Sequence, residues 1–154
     1  MMRIARSAVL LPVVVLGLAA CGGSHPRVVR GAPPPPNAAE MGKLSRLALD
    51  AAKGAGDAHP TDAIVVPTTR RIAEAVDAGS GVGYASTPAY FVVVHGQFKN
   101  CNVPIPSGAN CPTGTIITLT IDPRTNTSTD FGVESRMPDV NKIGRSEPLP
   151  LTDP

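Results

Sequence analysis

The chain has 154 residues and a mass of 15.8 kDa, which leaves room for one globular domain and excludes a multidomain enzyme. Proline and glycine number 17 and 15, so much of the chain is expected to form loops. Aromatic residues make up only 3%, so the stacking surfaces that single-stranded nucleic acids require are nearly absent. Basic residues form no cluster beyond the adjacent pair Arg70 and Arg71, which excludes a nucleic-acid partner.

Residues 1–20 have the order of a secretory signal peptide, with two arginines before an apolar run that is too short to cross a bilayer. The sequence Leu-Ala-Ala-Cys at residues 18–21 resembles the lipobox of bacterial lipoproteins. This resemblance implies cleavage before Cys21 after its sulfur has received a diacylglycerol. The mature chain would then be anchored in the cell membrane at its extracytoplasmic face. The alternative is an ordinary cleaved signal peptide that leaves a free Cys21.

Cleavage of this signal leaves 12 of the 14 basic residues against 12 acidic ones, so the net charge of the mature chain is zero and indicates no class of partner. Residues 21–36 are rich in glycine and proline and predict an extended tether. At about 3.1 Å per residue where proline-rich, this tether would hold the domain on the order of 40 Å from the lipid. Residues 145–154 contain three prolines and predict a flexible tail. The globular domain is therefore predicted to span residues 37–144.

Two helices are predicted within this domain. Asn37 and Glu40 have the spacing of a capping box, and an apolar face follows at helical spacing up to a stop at Gly54. Thr68 or Thr69 can cap a second, shorter helix. The intervening residues 63–66 are ambiguous between an edge strand and the start of a helix.

Three further segments predict strands. Residues 90–98 begin with a continuous apolar run, which is typical of a central strand that is covered on both sides. Residues 115–122 alternate, with isoleucines and a leucine directed inward and with Thr118 and Thr120 directed outward to solvent. Residues 128–133 follow a turn in which Asn126 tolerates the left-handed conformation. The predicted fold is α+β, with two helices packed on an antiparallel meander of three to four strands.

The turn and its flanks, residues 121–132, resemble the hairpin of PepSY-like domains, with Asn126 in place of the usual glycine. Taken whole, the chain resembles the small uncharacterised lipoproteins of high-GC Gram-positive bacteria. Both resemblances imply a small binding or accessory role and transfer no catalytic residue.

Cys101 and Cys111 remain as a pair once Cys21 is assigned to lipid, and an oxidising compartment favours a disulfide between them. A redox motif is disfavoured because the spacing is not Cys-x-x-Cys. A zinc site with His95 would have only three ligands, and two nearby thiols outside the cytoplasm oxidise rather than serve as a nucleophile. The sequence therefore predicts no metal and no cofactor.

His95 lies in the middle of a predicted strand, where a histidine is usually structural. A hydrolase would need an acid partner such as Asp130 or Glu134 and a nucleophile such as Ser86 or Ser135, and nothing in the sequence places these residues together. No catalytic motif of a known class occurs, so we expect that the protein is not an enzyme.

Thr68, Thr69, Arg70 and Arg71 are the candidate ligand contacts. Two arginines in the first turn of a helix oppose the helix dipole, and an anionic or carboxylate ligand would relieve that conflict. The alternative is that both guanidinium groups are solvated or pair with acidic residues nearby. A groove between this helix and the sheet is the predicted place for a ligand.

The expected function is that of a lipid-anchored module that binds a protein or another component of the cell envelope. A second hypothesis is an inhibitor-like or peptide-binding module that acts on exported proteases through the loop between Cys101 and Cys111. A hydrolase that uses His95 is the third.

Overall fold

The computed structural model describes residues 29–152. Its helices are α1 (Ala38–Gly54), α2 (Arg70–Asp77) and a 3-10 turn (Val140–Lys142), and its strands are β1 (Asp62–Thr69), β2 (Pro88–Lys99), β3 (Thr113–Asp122), β4 (Thr127–Glu134) and β5 (Glu147–Pro148). The α+β class is confirmed. The predicted signal peptide, the lipobox and the first part of the predicted tether lie outside the described residues. Within the described part of the chain, no helix is both long and apolar enough to cross a membrane.

The strands form one antiparallel sheet in the order β4-β3-β2-β1-β5, which is larger than the three to four strands expected. The ambiguous residues 63–66 belong to β1, which is an interior strand because β2 and β5 pair with its two edges. The turn between β3 and β4 places Asn126 at φ 53°, as predicted for the left-handed position.

Helix α1 covers the first face of the sheet. Its capping box is complete, because the Asn37 side chain accepts from the backbone N–H of Glu40 and the Glu40 carboxylate accepts from that of Asn37. Every third or fourth residue along one side of α1 is buried, as in Leu44, Ala48 and Ala52. These side chains pack on alternate residues of the strands to form the larger core, whose strand members include Val65, Val92, Ile117, Leu119 and Ile121.

Helix α2 and the segment after β4 cover the second face. Here Ala73 of α2 and Ile143 pack against Val66, Phe91 and Val93 in a smaller core. The apolar start of β2 is thus covered on both sides, as its continuous run predicts.

The prediction that Thr118 and Thr120 face solvent is wrong. Their exposed fractions are only 1% and 2%, because they lie on the second face, where α2 packs over them. Alternation of apolar and polar residues separates the two faces of a strand correctly, but it does not reveal that a helix covers the polar face.

The chain termini of the domain also differ from expectation. In place of a flexible tail, Glu147 and Pro148 pair with β1, and Leu149 is buried in the larger core with its N–H donated to the Ala63 carbonyl. The apolar Leu149 side chain holds this segment on the sheet. Pro36 is also buried, so the end of the predicted tether packs on the domain.

Candidate functional site

Thr68, Thr69, Arg70 and Arg71 do not converge on one site. Thr68 shares the second face with Val66, and Thr69 lies on the first face, because successive residues of a strand point to opposite sides. Both hydroxyl groups are buried without a hydrogen-bond partner among the described residues. Thr69 occupies the N-cap position of α2, but its side chain makes no capping hydrogen bond.

The Arg70 guanidinium pairs with an acidic residue of the same chain, and 34% of its side chain is exposed. Its Nε and Nη2 donate to the two carboxylate oxygens of Asp130 on β4, at 2.7 and 2.9 Å, and its planar group lies 5.1 Å from the ring centre of Tyr84. The hydrogen bond with Asp130 raises the pKa of Arg70, and burial opposes it. Arg71 donates from Nε to the Tyr84 carbonyl oxygen at 2.9 Å and is otherwise exposed. The conflict with the helix dipole is therefore relieved at Arg70 by Asp130, which belongs to the same chain.

The space between α2 and the sheet, where a ligand groove was predicted, is filled by a polar cluster. Thr120 donates to Glu74 and Thr118 donates to Asp77, each at 3.0 Å. Burial raises the pKa of Glu74, the bond from Thr120 opposes this, and the neighbouring Asp130 raises it further. Burial also raises the pKa of Asp77. For Asp130 burial acts upward too, but the hydrogen bonds from Arg70 and Thr129 outweigh it and lower the pKa.

In this polar cluster, which consists of Glu74, Asp77, Thr118 and Thr120, each carboxylate of α2 accepts a hydrogen bond from a threonine of β3. Gly132 lies directly opposite Thr118 on β4, and a Cβ at this glycine would come within 2.6 Å of the Thr118 hydroxyl. Across residues 29–152, no group of three histidine, cysteine or acidic side chains is placed to hold a metal ion. The sequence signal that was missed is Glu74 and Asp77, one helical turn apart, facing two threonines of one strand face.

His95 has an acid partner, but not one of those considered from the sequence. Its Nδ1 lies 2.6 Å from Oδ1 of Asp62, the residue directly opposite it on β1. Glu134 lies two strands away, with Ile116 between it and His95. The imidazole borders a polar cavity of about 560 Å³ that includes His59 and Gln97. In the described contacts no serine or thiol reaches the imidazole, and the hydroxyl-bearing residues of the same cavity are Thr61 and Thr115.

The predicted disulfide between Cys101 and Cys111 is confirmed, with 4.9 Å between the Cα atoms. The loop that it closes is fixed to the end of α1, because the Asn102 side-chain amide donates to the Gly54 carbonyl oxygen at 2.7 Å. The bases of the loop are joined by a bond from the Asn100 N–H to the Pro112 carbonyl. The loop residues themselves are largely exposed, including Val103.

An open apolar groove lies on the first face, between α1 and β4. Its volume is about 520 Å³. Leu47 and Ala51 of α1 form one wall, Leu119 forms the floor, and Phe131 of β4 forms the other wall. Val103 of the disulfide loop closes one end. Phe131 is 42% exposed, so a large apolar ring is available to a partner at the mouth of the groove.

The outer edge of β4 borders this groove. Strand β4 is the terminal strand of the sheet, and no other strand within residues 29–152 pairs with its outer edge. Such an edge presents free backbone N–H and C=O groups to an incoming strand. An apolar groove and an open sheet edge thus form one continuous surface, which we call the β4 groove.

Comparison with known proteins finds no matching family model, no matching curated protein and no matching solved structure.

Proposed function

We propose that the protein is a lipid-anchored module of the cell envelope that binds an extended segment of a partner protein in the β4 groove. The anchor is the diacylglycerol expected on Cys21, and the binding surface faces the extracytoplasmic side. The observation that carries the proposal is the open edge of β4 beside the apolar groove that Phe131 and Leu47 line.

The mode of binding follows from strand geometry. An extended segment that pairs with β4 gains main-chain hydrogen bonds, and its alternate side chains point to one face of the sheet. On the first face those side chains would lie beside Phe131, at the mouth of the groove. Main-chain pairing supplies affinity that is independent of sequence, and the groove selects apolar residues at every second position.

The charged residues of the groove restrict further which segments can bind. Asp50 and Asp130 are the charged residues of its lining, and Asp130 is already paired with Arg70. Asp50 is exposed at the rim of the groove on α1. The preferred segment is therefore apolar at alternate positions and carries a lysine or arginine at one end, opposite Asp50.

A second candidate is an inhibitor-like module that acts on exported proteases. It is favoured by the disulfide loop, which the bond from Asn102 to Gly54 fixes to α1 while Val103 stays exposed. Such a loop presents a short rigid segment to an active-site cleft. Val103 also closes the β4 groove, so both candidates use this part of the surface. In the first candidate the partner supplies the extended segment, and in the second candidate this chain supplies it.

Selection of peptides from a display library on the purified domain tests the first candidate. We expect enrichment of alternating apolar sequences with a basic flank. Phe131→Asp should abolish their binding, and Met137→Asp, at a residue of similar exposure that does not line the groove, should leave it unchanged. Failure to enrich such peptides, or equal binding by the two variants, would contradict the proposal. Inhibition of exported proteases that is lost on scrambling residues 103–106 would support the second candidate instead.

A further inference from the structure

The chain enters the domain at a defined end of the sheet. The Tyr90 hydroxyl donates to the Pro34 carbonyl oxygen at 3.1 Å, and Pro36 is buried. A Cβ at Gly31 would lie 3.6 Å from the Thr69 methyl group. Thr69 is the last residue of β1, and Tyr90 lies near the start of β2. We call this end of the sheet, where β1 and β3 finish and β2 and β4 begin, the entry end.

The opposite end carries the disulfide loop. Strand β2 runs from the entry end to Lys99, and the Lys99 N–H donates to the Ala55 carbonyl just after α1. Its 12 residues span about 40 Å at the usual rise of a strand. The disulfide loop follows immediately, so it starts about that far from the entry end, and its Val103 turns back to line the β4 groove.

The linker is too short for the domain to stand on its disulfide loop. Only seven residues separate Cys21 from Val29, the first described residue, and the eight steps between the two reach at most about 28 Å when fully extended. Contact of the disulfide loop with the bilayer, with the sheet upright, would place the entry end about 40 Å above the lipid. A lipid on Cys21 therefore restricts which end can face the bilayer.

The entry end also carries an exposed apolar residue. Val82 is 87% exposed in the glycine-rich loop after α2. This loop is held at the entry end because Arg71 donates to the Tyr84 carbonyl and the Arg70 N–H donates to that of Thr87. Gly81 packs directly on the Arg71 backbone, where a Cβ would come within 2.3 Å of the carbonyl oxygen.

The charges on this side are mostly positive. Residues 29–39 contain Arg30 and no acidic residue, and Glu40 follows in the first turn of α1. Arg71 is exposed beside Val82, and Arg124 extends from the turn between β3 and β4 with 86% of its side chain exposed. Asp122, at 4.0 Å from Arg124, is the acidic residue of that turn. Basic residues near a bilayer are attracted to its anionic headgroups.

We infer that the entry end is the membrane-facing surface of the anchored domain, with Val82 and the neighbouring arginines on the lipid headgroups, and that the disulfide loop points away from the membrane. This inference rests on the proposed lipidation of Cys21. The β4 groove, lined from Ser128 near the start of β4 to Val103 of the disulfide loop, then lies within reach of proteins that extend from the membrane or approach from the envelope.

Headgroup quenching tests this orientation. The full lipidated protein is reconstituted in equimolar phosphatidylcholine and phosphatidylglycerol vesicles with nitroxide-labelled headgroups, and a fluorescent noncanonical residue replaces either Ser80 or Ser107. We expect several-fold stronger quenching at position 80 than at position 107. Val82→Asp should weaken quenching at position 80, and Val103→Asp, at the opposite end, should leave it unchanged.

Equal quenching at the two positions, or stronger quenching at position 107, would overturn the orientation. The intact mass of the chain extracted from cell membranes separates this outcome from failure of the anchor. If Cys21 carries no diacylglycerol, the anchor and the orientation both fail. If Cys21 is lipidated and quenching is equal, only the orientation fails.

Discussion

The Glu74 carboxylate accepts a hydrogen bond from the Thr120 hydroxyl at 3.0 Å, and both residues are buried. Glu74 and Thr120 are 4% and 2% exposed. This bond and the parallel one from Thr118 to Asp77 join α2 to β3 through polar groups where most helices pack with apolar ones. Part of the stability of the domain therefore depends on the protonation of carboxyl groups.

Glu74→Gln should stabilise the domain at pH 7. Glutamine keeps an oxygen that accepts from Thr120 and removes a buried charge. Because burial raises the pKa of Glu74 in the folded state above its ordinary value of 4.5, the native carboxylate is destabilising above that raised pKa. As the pH falls through the raised pKa, the folded wild type gains stability. The advantage of the variant should thus shrink toward pH 4, as the wild-type Glu74 carboxyl becomes protonated in both the folded and the unfolded state.

Thermal unfolding of the two proteins between pH 4 and pH 8 measures this difference. Asp50→Asn, at an exposed position of α1, serves as the control and should shift the melting temperature little at any pH. A Glu74→Gln variant that is less stable than the wild type at pH 7 would mean that the Glu74 charge stabilises α2.

Arg70→Gln should destabilise the domain by about 1 kcal/mol, because it breaks the two-bond pair with Asp130, which is partly exposed and therefore weakened by solvent. Loss of Arg70 should also raise the pKa of Asp130 from its lowered value, because burial would then be opposed only by the hydrogen bonds with Thr129 and Glu74. Arg71→Gln removes one exposed contact and should cost less than about 0.5 kcal/mol. Urea denaturation of both variants checks the order, and equal losses would contradict the structural role assigned to Arg70.

Gly132→Ala should cost about 1 to 3 kcal/mol, because its methyl group would overlap the Thr118 hydroxyl and crowd the Asp77 carboxylate at 3.2 Å. Gly42→Ala provides a matched control on α1, where nothing lies within 4 Å of the new methyl group. That variant should gain about 0.5 to 1 kcal/mol from the better helix propensity of alanine. Denaturant midpoints that move in the same direction for both variants would contradict the close packing of β4 against the polar cluster.

The double variant Cys101→Ser, Cys111→Ser should lose on the order of 2 to 3 kcal/mol, since the disulfide closes a loop of short length in the unfolded chain. In this variant the hydrogen bond from the Asn102 side chain to the Gly54 carbonyl should be weakened, so the end of the β4 groove should open. Hydrogen exchange at the Asn102 and Lys99 amides, with the oxidised wild type as reference, reports that change. Unchanged exchange would mean that the loop is held without the disulfide.

The sequence predicted those features of the fold that depend on residues close together in the chain. The capping box fixed the start of α1, the apolar run predicted the buried start of β2, and Asn126 marked the turn after β3. The disulfide was likewise predicted, because Cys101 and Cys111 remain as a pair once Cys21 is assigned to lipid.

What the sequence could not predict depends on residues far apart in the chain. The polarity of Thr120 gave no indication that Glu74, 46 residues away, would cover it. The prolines near the C-terminus suggested a flexible tail, although Leu149 returns to the larger core. The β4 groove joins Leu47 to Phe131, and periodicity within single segments cannot bring such residues together.

Photo-crosslinking in intact cells tests the proposed binding surface most directly. A photoreactive residue replaces Phe131 in the β4 groove or Met137 outside it, in the lipidated protein and in its Cys21→Ser form. The account predicts one dominant adduct from position 131, with a protein whose linked peptide has alternating apolar residues. This adduct should be absent from position 137 and reduced in the Cys21→Ser form. The same adducts from both positions, or none from position 131 above the background of position 137, would contradict it.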